Sequence, residues 1–396
     1  MAVPAPRVRR RHSTLGRLLP LLLVAALLAP MGLLLAQTWQ HTGDDRDLAA
    51  RERLGVQYLR ALAPVTDALV DAQSAAVRGR PASGEALARA VEEAATVDAR
   101  IGVELRSQER WAGLRAKLEA LRARGPADPD AAFTTYGEAT DLLLALHRKV
   151  RDSSGLVRDP AADSFFLQDS AGQELPEAVV AAGRLADLGT LVARRPAAEQ
   201  PRGLLELTAL RVSALAPATD LVDNLRSAVD GSESTDLGAN VLTPLDNYQR
   251  SVEALAAYSL PAGGTTAVDA GRLGAAGLNT HTAARQLQPV ILAELDALLA
   301  DRIDDLDRDR WIIAGAVLVF VLLAGWLAAL LIVADRRARR RASMPDAGAS
   351  PDVPATADAW QPPIGAGRPS DKRALQPVGA AREAEVTPWG PFDAAR

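Results

Sequence analysis

The chain has 396 residues, a formal net charge of −4 and no cysteine. The missing cysteines exclude disulfides and thiolate chemistry. The acidic balance, once the terminal arginine clusters are set aside, argues against nucleic-acid binding.

Residues 1–17 form a basic arm with Arg7, Arg9, Arg10, Arg11 and Arg17 and no acid. Leu18 to Ala36 follows as LLPLLLVAALLAPMGLLLA, without a charge. About 20 apolar residues suffice for a helix to cross a ~30 Å hydrocarbon core, so residues 18–37 are predicted as a first transmembrane helix. Pro20 and Pro30 are tolerable in such a span. The alternative is a cleaved signal peptide. The apolar run exceeds a usual h-region, and Leu34-Leu35-Ala36 is a poor cleavage site, which favours an uncleaved anchor.

Residues 38–310 read as helix almost throughout. Tyr58, Leu62, Val65, Leu69, Ala72 and Ala76 alternate steps of four and three, and Leu287, Ile291, Leu295, Leu299, Ile303 and Leu306 follow one another at steps of four and a final three, again on one helix face. Breaks are expected at Gly79-Arg80-Pro81, Gly125-Pro126 to Asp130, Ser153-Ser154-Gly155, Arg195-Pro196 to Gly203, Asp230-Gly231-Ser232 and Leu260 to Gly264. The first helix is expected over about 42–78 and a second from there to Gly125. The last covers about 272–310 and should run unbroken into the next span. The expected fold is all-α: an elongated extracytoplasmic bundle of about six helices, four-helix-bundle-like, between two transmembrane helices.

Trp311 to Val333 is again uncharged, and residues 311–334 are predicted as the second transmembrane helix. Arg336, Arg337, Arg339, Arg340 and Arg341 follow it. Arginine therefore flanks both spans on the same side, and the positive-inside bias puts both termini in the cytoplasm. The arm carries +5 and residues 334–396 carry +2, which leaves −11 on the outer segment. Residues 335–396 read as a basic stub, able to meet anionic lipid, and a disordered tail. Nine prolines fall between 345 and 391. Trp360 and Trp389 within that tail are candidate partner-docking positions.

The segment GLVRDPAADSFFLQDS, residues 155–170, departs from the Ala-, Leu- and Arg-rich background. Asp159 can cap a helix, Pro160 suits its first turn, and Asp163 lies near the positive end of its dipole. Phe165, Phe166 and Leu167 are then expected to fill the core at a junction.

Leu156 to Asp169, with Leu175-Pro176 nearby, resembles a motif of the helical extracytoplasmic sensor regions of bacterial methyl-accepting chemotaxis proteins and sensor histidine kinases. A second segment is also similar: ERLGVQYL, Glu52 to Leu59, with Pro64 and Arg78-Gly79. In that family it follows the first membrane helix and often ends in His-Arg-Gly; here Val77 stands in the histidine's place. The resemblance covers roughly residues 38–333. It implies a membrane-bound parallel homodimer in a bacterial plasma membrane. After Val333 the pattern departs, because no HAMP linker, kinase or methyl-accepting coiled coil follows.

Candidate ligand-binding positions are Glu52, Arg53, Tyr58, Arg78, Asp163 and Asp169, each with a competing structural role in pairing, capping or packing. Four scattered histidines give no metal-ligand spacing, and no catalytic constellation, phosphate loop or cofactor motif is present. The acidic run Asp301 to Arg310 is expected to be a solvated face, paired through Asp304 with Arg308 and Asp307 with Arg310. The functional expectation is a non-enzymatic two-pass sensor that detects a small molecule outside and acts through a separate histidine kinase or chemoreceptor. The alternative is a structural envelope protein recruiting cytoplasmic partners through its Pro-rich tail.

Overall fold

A computed structural model describes residues 15–80, 84–157, 162–232, 235–261 and 267–342. The helices are α1 (Leu15–Val77), α2 (Gly84–Ile101), α3 (Gln108–Ala123), α4 (Pro129–Ser154) and α5 (Ala162–Asp169). A π-helical turn, Ser170–Glu174, joins α5 to α6 (Leu175–Arg194). Then come α7 (Gln200–Gly231), α8 (Thr235–Tyr258) and α9 (Ala270–Ala342). No strand occurs among the described residues. Asp159, Pro160, Trp360 and Trp389, together with the side chain of Asp163, lie outside what the structure describes.

Most breaks fall where the sequence punctuates. Asp128 caps α4 by accepting from the Ala131 N–H at 2.7 Å, Pro129 opens the helix, and Gly155 closes it at φ 94°. Two boundaries differ from expectation. α1 has no start near residue 42; it is continuous from Leu15 to Val77, with Pro64 carried inside the helix. The helix expected to reach Gly125 is divided into α2 and α3 at Gly102–Ser107. There Asp98 accepts from Ser107 Oγ at 3.0 Å, and a Cβ on Gly102 would stand 2.3 Å from Asp98 Oδ1. The turn therefore requires a residue without a side chain at 102.

The core forms along the anticipated seams. Tyr58, Leu62, Val65, Leu69 and Ala72 are buried, and so are Leu287, Ile291, Leu295 and Leu299. A second apolar cluster gathers Leu185, Leu188, Val192, Leu207, Leu255 and Leu273 between α6, α7, α8 and α9. Close approach there depends on glycine: a Cβ on Gly277 would lie 2.6 Å from that of Ala186, and one on Gly189 2.2 Å from Leu273 Cδ2.

α9 runs without a break through its apolar segment, and Ala270–Arg337 is long and apolar enough to cross a membrane. Within it Trp311 is 80% exposed and Leu322 64%, and no residue of 311–333 is buried by the rest of the protein. In α1, Met31, Leu33 and Leu34 are likewise exposed. The uncovered apolar face of α9 fits a segment able to cross a membrane.

Candidate functional site

The polar contacts of α1 and α9 are organised along one helix face. On α1 they involve Trp39, Arg46, Arg53, Arg60 and Asp67, each seven residues after the last. The Arg310 guanidinium lies over the Trp39 ring at 4.8 Å. Arg46 Nε donates to Asp307 at 2.6 Å, Arg53 Nε to Asp296 at 3.0 Å, and Arg60 to the Leu292 carbonyl at 3.3 Å. Partner numbers fall as α1 numbers rise, so the two helices are antiparallel and fixed in register. A seven-residue repeat drifts only slowly around an α-helix, which keeps such a stripe facing one neighbour.

The stripe ends in a cluster of charged side chains. His281 is 6% exposed. Its Nε2 lies 2.9 Å from Asp67 and its Nδ1 3.2 Å from Asp71, one helical turn further along α1. Two ring nitrogens facing two carboxylates require both to be donors, which makes the ring an imidazolium. Burial alone would lower the pKa of His281; the two bonded carboxylates outweigh it and push it up to about 9. Arg285, one turn along α9, reaches Asp67 at 3.3 Å and Asp71 at 3.9 Å. The hydrogen bond from His281 holds the Asp71 carboxyl below its ordinary value.

Beside this cluster, α6 buries Asp187 completely. Gln73 Nε2 donates to it at 3.0 Å and Ser74 Oγ at 2.8 Å. Burial raises its pKa to about 6 against the lowering effect of these bonds and of the Arg78 charge. The end of α1 is capped from α6, where Arg194 donates to the Val77 carbonyl at 2.9 Å.

The resemblance-derived positions do not converge on one cavity. Glu52 is fully buried beside the left-handed Gly155, and Arg53 belongs to the stripe. Tyr58 is fully buried and donates to Asp98 at 2.7 Å, bracing the α2–α3 turn. Burial, more than that bond, raises its pKa. Arg78 lies near Gly274 and acts on Asp71 and Asp187 through its charge, while Arg194 performs the capping.

Asp169 belongs to a separate group at the π turn. It accepts from Arg151 at 3.1 Å and from Asn224 at 3.0 Å, and Arg151 also donates to Gln173. Burial, with the nearby charges of Asp169, Asp220 and Glu177, pushes the pKa of Glu174 up to about 7. The aromatic pair divides: Phe166 and Leu167 pack into the core as expected, whereas Phe165 is 42% exposed and meets Phe166 edge to face. The expected pairs within Asp301–Arg310 are corrected as well. Asp307 reaches across to Arg46, Arg308 pairs with Asp305 at 2.7 Å, and Arg310 turns to Trp39.

Sequence reasoning missed His281, Asp67, Asp71 and Asp187. A signal for the first three was present: Asp67 and Asp71 are one turn apart on a predicted helix, as are His281 and Arg285 on another expected to run antiparallel to it. Among the described residues, no group of three or more His, Asp or Glu side chains is arranged to hold a metal ion. Comparison with family models, with curated proteins and with solved structures finds no match. The functional reading therefore rests on this geometry and on the quoted motifs.

Proposed function

We propose that the chain is a two-pass, non-enzymatic membrane sensor with residues 38–310 outside the cell and both termini in the cytoplasm. It acts as a homodimer through separate signalling partners, a histidine kinase or a chemoreceptor. One observation carries this reading. The two helices holding the uncovered apolar segments are the same two that are stitched together, level by level, up to the buried His281 cluster. A ligand that shifts α9 against α1 at that end changes the register of the pair where it enters the bilayer, since a continuous helix transmits axial displacement along its length. The arginine clusters set the orientation.

The cysteine-free chain suits a direct test. Single cysteines at Phe165 and Ser350 are probed with a membrane-impermeant maleimide in intact cells. Labelling at 165 and protection at 350 are expected; the reverse pattern, or equal labelling, refutes the topology. A cysteine pair replacing Arg46 and Asp307 should form a disulfide whose yield changes when the natural stimulus is present. A yield indifferent to every condition that alters a partner kinase's activity would remove the signalling role.

A further inference from the structure

The α2–α3 hairpin holds a cleft whose floor includes Ala72 of the α1 seam. α2 packs on α1 and α3 on α4, while the two arms meet each other sparingly. At the turn that joins them, Asp98 accepts from Tyr58 and Ser107. Towards the other end they enclose a cleft of about 210 Å³. Leu87 and Val91 of α2 face Leu118 and Leu121 of α3 across it, over Ala72 of α1 and Tyr136 of α4. Leu118, Leu121, Ala72 and Tyr136 are buried, so the floor is apolar and already ordered. The volume lies below the range of about 300–1,000 Å³ usual for drug-sized ligands, which restricts the occupant to a small molecule.

The lips carry charge of both signs. On α3, Arg115 stands 3.6 Å from Glu119 and each satisfies the other. Arg122, on the same face of α3, makes no ion pair or side-chain hydrogen bond among the described residues. Glu92, on the α2 lip, has no partner for its carboxylate among them either. Both are exposed and both line the cleft. An unspent cation on one arm and an unspent anion on the other, above an apolar floor, match one chemistry.

We infer that this cleft binds a small amphipathic zwitterion, with its apolar body on Leu87, Val91, Leu118 and Leu121. Its carboxylate meets Arg122 and its ammonium meets Glu92. Such a ligand draws α2 and α3 together and so presses on α1 and α4, on which they pack. This deepens the sensor reading and rests on it for its consequence, though not for the binding itself.

The probes are L-leucine, its des-amino counterpart 4-methylpentanoate, its decarboxylated counterpart 3-methylbutylamine, and glycine, which lacks the apolar body. Binding to the full chain in lipid nanodiscs is read by calorimetry. Leucine should bind about tenfold or more tightly than either half-charged analogue, the yield of one charge-assisted hydrogen bond, and glycine should not bind. Glu92→Gln should erase leucine's advantage over 4-methylpentanoate, and Arg122→Gln its advantage over 3-methylbutylamine. Both side chains are exposed and unbonded, so neither change costs the fold a contact. Absence of leucine binding, equal binding of all three leucine-sized probes, or indifference to both substitutions overturns the site. Leucine binding that leaves the 46–307 disulfide yield unchanged supports the site and refutes only the signalling reading. Correct topology without leucine binding refutes only the site.

Discussion

His281 is the side chain on which the pairing of α1 and α9 depends most directly, because both its nitrogens are committed to carboxylates of the other helix. Its pKa rises on folding from 6.5 to about 9, so its stabilisation is fully present below pH 6.5 and is lost as pH rises through about 9. The melting temperature of the full chain in detergent should fall between pH 7 and pH 10, and His281→Gln should remove that fall. Asp187 titrates in another window. Its pKa rises from 3.8 to about 6, so folding favours its neutral form and stability declines as pH rises from about 4 to about 6. Glu174, raised from 4.5 to about 7, adds a decline in an overlapping window, so Asp187→Asn should lessen the fall between about pH 4 and 6 without abolishing it and leave the alkaline one intact. Tyr58→Phe tests a third buried contact. It removes the donor to Asp98 and should cost about 1.5–3 kcal/mol in denaturant unfolding, the usual worth of a hydrogen bond to a charged group. Were Tyr58 instead free to bind ligand, the substitution would leave stability unchanged.

At the scale of elements, glycine sets how the helices meet and end. Gly155 closes α4 at φ 94°, and a Cβ there would stand 2.6 Å from Leu48 Cδ1 of α1. Gly155→Ala should destabilise the protein by about 1–3 kcal/mol or more, since backbone strain and a steric clash act together. Equal melting of variant and native protein would contradict the close α1–α4 approach. The helix-scale expectations that succeeded and those that failed divide on physical grounds. The Asp128-Pro129 start and the Gly155 stop are local, fixed by φ preferences and side-chain capping within a few residues. The break at Gly102–Ser107 was not legible, because one glycine in a helical pattern is ordinarily tolerated. It becomes a turn only because Asp98, held by Tyr58 from another helix, takes the bond of Ser107. Similarly, Asp307 was expected to pair within its own helix, where the spacing allows it. Arg46 is nearer once α1 lies alongside.

For the whole molecule, the tertiary contacts of the helical region divide after Val333. The Pro-rich composition of residues 343–396 predicts a tail that buries no core, so their removal should leave the thermal unfolding of the helical region within about 1 °C of the full chain. A larger shift, followed by circular dichroism, would mean that the tail packs on the remainder.

The sequence by itself determined the helical class, the two apolar runs, their arginine flanks and the buried seams of α1 and α9. Each of these follows from composition or from periodicity along one segment. Only the tertiary structure decided which side chains meet. The His281–Asp67–Asp71–Arg285 cluster, the burial of Asp187 between α1 and α6, and the dispersal of Glu52, Tyr58, Arg78 and Asp169 to separate places all depend on which helix lies beside which. Contacts between residues far apart in the chain leave at most a spacing on each helix, such as Asp67 with Asp71 and His281 with Arg285, and not the pairing itself. They arise when packing brings two helix faces together and the cost of burying a charge selects its partner.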